Sequence, residues 1–324
     1  MNKIEDKIKA VMLGHAVGDA LGVPVEFCKR EELSEKPITD MVGYGTYPYP
    51  EGCWSDDTSM SLAALDSLAG GKLDFDDVML KFGKWYYDDE YTPTGETFDV
   101  GNTCSSAIEN YFAHHKPIKE CGLTGERSNG NGSLMRIHPF VIYATFTYLN
   151  GSAEGYWLWL ECIKRASALT HAHDRSIMGC YIYGYCLSFL LKEASRESLL
   201  KGIKFAGEDL DYLPEFEHYK RIFEPDFANL ASDKVKSTGY VVDTLEAALW
   251  CVLTTNDYKS CVIKAVNLGD DTDTIAAIAG GLAGILYGLD TVPTEWLSKL
   301  KRKDYIEEMC VRAGKAWRKY RYTS

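Results

Sequence analysis

From Lys7 to Gly288, apolar residues recur at spacings of three and four in eight separate segments, the period that gathers them on one face of an α-helix. The segments are Lys7 to Val17, Ser59 to Leu68, Phe75 to Tyr87, Gly155 to Leu169, Ser176 to Leu191, Tyr240 to Val252, Tyr258 to Val266 and Thr274 to Gly288. Loops rich in Gly, Pro and polar residues separate them, among them VGYGTYPYPEG, YTPTGETFDVGN and GERSNGNGS. No regular series of alternating strands and no long Ser- or Pro-rich linker breaks the pattern. The expectation is one all-α domain over residues 1–324, with a polar, aromatic-studded stretch at about 192–238 as a small helical insertion. At 324 residues and 46% hydrophobic, the chain can bury a sizeable core.

Several function classes are disfavoured. No stretch reaches about 20 uninterrupted apolar residues, and the run from Ile275 to Leu289 is short and rich in Gly and Ala, so a buried helix is expected there and no membrane span. MNKIEDKIKAVMLG reads as the start of a charged amphipathic helix, without the apolar centre and cleavage site of a secretory signal. The ten cysteines, Cys28, Cys53, Cys104, Cys162, Cys180 and Cys251 among them, show no CxxC spacing. They are expected to be small buried hydrophobes in a reducing, cytoplasmic setting, with a disulfide scaffold as the alternative. A net charge of -12 repels phosphate backbones, which makes free nucleic acid a poor partner, although a bound metal can reverse the field in one pocket. Tyr212 and Phe216 are expected to be exposed and hint at a partner surface, and the oligomeric state is open.

The chemistry starts at NLGDDTDTIAAIAGG, where Asp270, Asp271 and Asp273 stand with Thr272 and Thr274 at the mouth of the most apolar segment. A helix N-terminus welcomes one or two such residues as caps. Three carboxylates are more than a cap needs, because each repels the others and must be desolvated. The same device occurs at Ser55-Asp56-Asp57-Thr58, more than two hundred residues earlier, again leading into a helix with small residues. If the two mouths meet, five carboxylates and several hydroxyls converge, tolerable only around cations. Oxygen-only ligands select hard divalent ions such as Mg²⁺ or Mn²⁺, and this much charge suggests a pair. Two independent caps are the alternative. In GHAVGDALGVPVEF, Gly14, Gly18 and Gly22 mark one side of a helix for close packing, and Asp19 and Glu26 are acids that are either solvated or buried with a partner.

Two further motifs stand out. SNGNGSLMR permits positive φ and close approach of backbone N–H groups to an anion, or is a plain turn, and LMRIHPF looks like a helix start. In LTHAHD, His171 and His173 would point to different faces of a helix, and no soft ligand lies nearby in sequence, which argues against a His-bound metal.

Taken in order, GHAVGDALGVPVEF, WSDDTSMSLA, FDVGNT, SNGNGSLMRIHPF, LTHAHD, GYVVDTLEAALW and NLGDDTDTIAAIAGGLAGILYG resemble the ADP-ribosylglycohydrolase family over about residues 10–290. The resemblance implies a single orthogonal helical bundle with a dinuclear Mg²⁺ or Mn²⁺ site in a central cleft. It implies hydrolysis of the glycosidic bond joining ADP-ribose to a protein side chain, so the partners are an ADP-ribosylated protein and ADP-ribose. On the matching positions it assigns Ser55, Asp56, Asp57, Asp271, Asp273 and Thr274 to the metals. Serine at 55 replaces a frequent threonine and keeps the hydroxyl. Asp270 replaces a frequent glycine and is expected outside the ligand set or as a cap. Glu26 becomes a candidate base or metal-linked gate, and Asp99 an acid/base group or ribose contact, unless it merely caps a helix. Gly101, Asn131, Gly132, Ser133, Met135 and His171 become candidate substrate contacts, with a core histidine as the other reading of His171. Arg136 is expected to bind phosphate or pair with a buried acid.

The implied mechanism passes through an oxocarbenium-like transition state at the ribose C1″, without a covalent glycosyl-enzyme. Asp56, Asp57 and Asp271 would serve both as ligands and as proton acceptors. Arginine-linked ADP-ribose is the expected substrate. Serine linkage, O-acetyl-ADP-ribose or ADP-ribosylated nucleic acid would use the same cation cage, and a two-metal nucleotide phosphohydrolase and a non-catalytic ADP-ribose binder are the rival classes.

Overall fold

The computed structural model describes residues 3–318, and every regular element among them is a helix. In chain order the α-helices are α1 Ile4–Gly22, α2 Arg30–Glu35, α3 Asp56–Leu68, α4 Phe75–Asp88, α5 Asn102–Phe112, α6 His138–Thr147 and α7 Ala153–Ala168, then α8 Asp174–Lys192, α9 Arg196–Leu210, α10 Val241–Leu253, α11 Tyr258–Val266, α12 Thr272–Tyr287, α13 Thr294–Lys299 and α14 Lys303–Trp317. All eight periodic segments of the sequence fall on helices. Six helices, α2, α5, α6, α9, α13 and α14, had no periodic signal to announce them. For α6, the reason is that it is buried on every side from His138 to Phe146, so it has no polar face to create a period. The helix also begins at His138, later than LMR, because Leu134 to Ile137 form turns first.

α1 and α12 are the axis of the fold. They approach so closely that a Cβ on Gly14 would lie 2.4 Å from the Gly280 carbonyl oxygen, one on Gly18 2.0 Å from that of Ala276, and one on Gly22 2.3 Å from the Asp273 Cα. The glycine stripe therefore does what its spacing suggested, and brings the C-terminal end of α1 against the N-terminal end of α12. α3 and α14 pack on one flank of α1, while α10 and α11 flank α12 and α6 to α9 complete the core. One helix, Ile4–Val25, is long and apolar enough on average to cross a membrane, although Glu5, Asp6, Lys7 and Lys9 interrupt its apolar run, as the sequence reading required. Yet 89% of that stretch is buried inside the fold, as a central helix would be.

The cysteines are all unpaired, nine buried and Cys28 half-buried. Residues 192–238 form α9 and a run of 3₁₀ turns, the longest Pro214–Phe223, laid on α8 and α10. Tyr212 is 73% exposed, as expected, but Phe216 is buried and stacks on Phe223 with centroids 4.9 Å apart, so it belongs to no surface.

Candidate active site

The two acidic mouths meet. Ser55 is the N-cap of α3, its Oγ accepting the Asp57 N–H at 3.3 Å while donating to Asp57 Oδ2 at 3.1 Å. That same Oδ2 accepts from Thr274 Oγ1, at 3.2 Å, across 217 residues of sequence. Asp271 occupies the N-cap position of α12, and its Oδ2 accepts from Asn131 Nδ2 at 2.9 Å. Thr272 ties this mouth to α1 through a 2.8 Å hydrogen bond to the Gly22 carbonyl. Asp19 of α1 does the same for the other mouth. It is fully buried and accepts from Ser55 N at 2.8 Å, Thr58 N at 3.1 Å and Thr58 Oγ1 at 2.6 Å. α1 thus holds both helix starts at a set separation.

Around this junction lies a cleft of about 330 Å³ lined by Glu26, Asp56, Asp99, Gly101, Asn131, Gly132, Met135, His171, Asp271 and Thr274. Ser55, Asp57 and Asp273 lie beneath its floor, all but fully buried. Carboxylate oxygens of Glu26, Asp99 and Asp273 lie within 4.8 Å of one another. Five oxygens, one each on Glu26, Asp57 and Asp271 and both on Asp273, are buried without a hydrogen-bond partner. Among the described residues no Lys, Arg or His pairs with Glu26, Asp56, Asp57, Asp99, Asp271 or Asp273. Burial is the main cause of the upward shift at all six. Glu26 is pushed up to about 9 by burial and by the charges of Asp99 and Asp271, while Asp56, Asp57 and Asp273 stand well above their ordinary range. Asp99 and Asp271 are raised as well. Orphaned, mutually repelling, oxygen-only donors of this kind fit hard divalent cations and nothing the protein itself supplies.

This charge load makes a pH prediction. A carboxyl whose folded pKa is raised contributes its full share of stability below the unfolded pKa and loses it as pH rises through the folded value. Without divalent cations, the melting temperature is therefore expected to fall as pH goes from about 5 toward the value of about 9 for Glu26, with Asp19, raised by burial to about 7, adding to the slope. Saturating Mg²⁺ or Mn²⁺ should flatten the profile. A cation-free profile already flat across that range would contradict the buried charge.

Several expectations need correction. Asp99 does not cap α5, whose N-cap is Gly101, and its backbone is left-handed at φ +55. Its carboxyl and that of Glu26 both lie close enough to the Tyr47 hydroxyl for each to shift with it. Asp270 stands outside the acidic cluster, in keeping with one expected reading, and the cap reading fails because Asp271 is the N-cap of α12. Asp270 takes φ +59, the conformation a glycine adopts most readily, and its exposed side chain accepts from Ser237 Oγ at 3.3 Å. The loop Ser128 to Arg136 uses no positive φ. Gly132 is needed for closeness, since a Cβ there would lie 2.8 Å from His171 Cε1 and 2.9 Å from Cys104 Sγ. Ser133 turns its hydroxyl away from the cleft, toward Ser167 at 2.9 Å and Cys180 at 3.5 Å. Arg136 is fully buried, donates to the Ala166 carbonyl and Thr170 Oγ1, and lies over Phe82, so it meets neither phosphate nor acid. His171 and His173 do not share a helix. His171 faces the cleft with its Nδ1 on Thr170 Oγ1 at 2.8 Å, whereas His173 caps α8 and lies 3.3 Å from Glu126.

Sequence reasoning passed over Arg127, Asn102, Thr103 and Cys104 on the cleft wall, and Tyr47 at its acidic end. Arg127 stands one residue before the SNGNGS motif, so charge beside a Gly-rich loop was a signal. Tyr47 carried none, being one aromatic among several in GYGTYPYP.

The ADP-ribosylglycohydrolase family model matches residues 1–322. Over 305 residues the chain is 33% identical to the ADP-ribosylarginine hydrolase Tri1 of Serratia proteamaculans, covering 94% of this chain and 78% of that protein. The ADP-ribosyl-[dinitrogen reductase] glycohydrolase of Rhodospirillum rubrum is 34% identical over 303 residues, covering 93% and 92%. A solved structure described as an ADP-ribosylglycohydrolase-related protein complex superposes with a TM-score of 0.79 at 29% identity, covering 98% of this chain and 99% of that one. The chain belongs to the ADP-ribosylglycohydrolase family, enzymes that hydrolyse glycosidic linkages of ADP-ribose.

Proposed function

We propose that this protein removes ADP-ribose from arginine side chains, using two divalent cations, Mg²⁺ or Mn²⁺, held by Ser55, Asp56, Asp57, Asp271, Asp273 and Thr274. The observation that carries the reading is the junction of the two mouths, with its five buried, donorless carboxylate oxygens. Cations bound there would grip the ribose hydroxyls and acidify a water molecule. The arginine linkage is supported by the names of relatives at 33% and 34% identity.

In the reaction, the bond between C1″ and the guanidine nitrogen breaks, the water oxygen bonds to C1″, one water proton goes to a carboxylate, and a proton is returned to the departing guanidine. Glu26 and Asp99 suit this proton traffic: they line the cleft, their oxygens lie within 4.8 Å of each other, and neither belongs to the six proposed metal ligands. Asp56 and Asp271, at the cleft surface, are the alternative acceptors. Asn131, Gly132, Met135, His171, Gly101 and Arg127 line the remainder, where the diphosphate and the rest of the nucleotide fit. Burial lowers His171 to about 3, so it acts there as a neutral hydrogen-bonding group.

The test is release of free ADP-ribose from an arginine-ADP-ribosylated protein with Mg²⁺, with Mn²⁺ and with EDTA, for the wild type and Asp271→Asn. Metal-dependent release that the variant loses is expected. Phosphate release, or tight ADP-ribose binding without turnover, would overturn the proposal.

A further inference from the structure

On the loops tied around Glu26, the surface carries three exposed apolar side chains that the reaction described above does not use. Phe27 is 66% exposed, Tyr44 74% and Val42 39%. Phe27 directly follows Glu26, and both rings sit on left-handed backbone, Phe27 at φ +64 and Tyr44 at φ +57. Bulky L-residues rarely adopt that region; Gly or Asn would relieve the strain and keep the turn. Strained residues of this kind gather at functional sites, where surrounding structure holds them.

Here the holding contacts are visible. Phe27 N donates to the Asp270 carbonyl at 2.7 Å, and Asp270 N to that of Cys28 at 2.8 Å. Thr46 N donates to the Pro24 carbonyl at 2.9 Å and its Oγ1 to that of Glu26 at 2.6 Å, while Tyr44 N reaches the Tyr49 carbonyl at 2.8 Å. The two loops are therefore tied to each other around Glu26, with Phe27 and Tyr44 presented outward. Just inside, the Tyr47 hydroxyl neighbours Glu26 and Asp99. These side chains thus stand on loops tied around Glu26, which itself lines the cleft and clusters with Asp99 and Asp273.

We infer that Phe27, Val42 and Tyr44 form a docking surface for the polypeptide that carries the modified arginine. The inference rests on the proposed function, because the arginine is the leaving group and its chain must emerge beside Glu26 and Asp99, the acids assigned to its protonation. Aromatic faces held rigidly suit this occupant: they stack on peptide planes and on guanidinium groups, and they lose little side-chain entropy on binding.

The experiment compares two substrates: an arginine-ADP-ribosylated protein, and free ADP-ribosyl-arginine, which has the same scissile bond and no polypeptide. Phe27→Asn, Tyr44→Asn and the double variant remove the rings while keeping a residue that tolerates positive φ. Circular dichroism and melting temperature check the fold, and Phe27→Tyr with Tyr44→Phe serve as conservative controls. In the double variant, the ratio of kcat/KM for the protein to that for the free compound is expected to fall at least about fivefold through KM, and to be retained in the controls. A ratio that does not move, whether both substrates are unaffected or both slowed equally, overturns the inference while leaving the proposed function standing. Loss of a wild-type dimer in the double variant with an unmoved ratio assigns the patch to a second copy of the chain and also overturns it. Release from neither substrate by the wild type overturns the proposed function, and this inference with it.

Discussion

Asp273→Asn is expected to lower metal-dependent ADP-ribose release by about 10²- to 10³-fold and, at the same time, to raise the melting temperature of the cation-free protein. Both effects follow from one observation. Asp273 is fully buried at the start of α12, neither of its oxygens finds a donor, and Glu26, Asp99, Asp57 and Asp271 all push its protonation upward. A charge held this way destabilises the folded chain unless a cation joins it. Asparagine fills the same volume without the charge, so the cation-free fold gains what the cation site loses. The matching measurement is the rise in melting temperature on adding Mg²⁺ or Mn²⁺, which should be large in the wild type and nearly absent in the variant. If the variant were destabilised without cations and still responded to them like the wild type, Asp273 would be an ordinary buried side chain and the assigned metal set would be wrong.

Asp19→Ala is expected to cost about 3–5 kcal/mol, among the larger effects a single substitution can have here. The carboxylate is the shared acceptor for Ser55 N, Thr58 N and Thr58 Oγ1, so its removal leaves three donors unpaired at a site with no access to water. It also frees the α3 mouth from α1, and with it the position of Asp56 and Asp57 relative to Asp271 and Asp273. Chemical denaturation reads the stability term. Titration with Mn²⁺ reads the positional one: affinity should weaken even under conditions where the variant is fully folded. Asp19→Asn retains one acceptor oxygen and should fall between the two. A stability loss below about 1 kcal/mol would mean that the three donors find other partners.

The legible and illegible parts of the site divide by mechanism. The acidic mouths were readable because Asp-Asp-Thr ahead of a small-residue helix violates the economy of capping, and an excess of one charge is visible in a linear string. The glycine stripe of α1 was readable because its period of four matches a helix face. By contrast, Ser133 and Arg136 sit in a motif that looks like anion-binding chemistry yet spend their side chains on the core. Sequence spacing shows which residues share a segment; it does not show which way a turn rotates them. The same limit hid Tyr47, which approaches Glu26 and Asp99 only because Gly43 to Pro50 folds back over Pro24 and Glu26.

What the sequence determined by itself is the helical class, through apolar period, and the excess of carboxylates at two helix starts, through charge that no local interaction could neutralise. What only the tertiary structure decided is that those carboxylates converge. The Asp57 to Thr274 hydrogen bond joins residues 217 apart, and it exists because Gly18 and Gly22 let α1 close on α12 while Asp19 binds the start of α3. Convergence depends on where two helix ends are held in space, a property of packing distances between distant segments, and a one-dimensional pattern carries periods and charges but no distances.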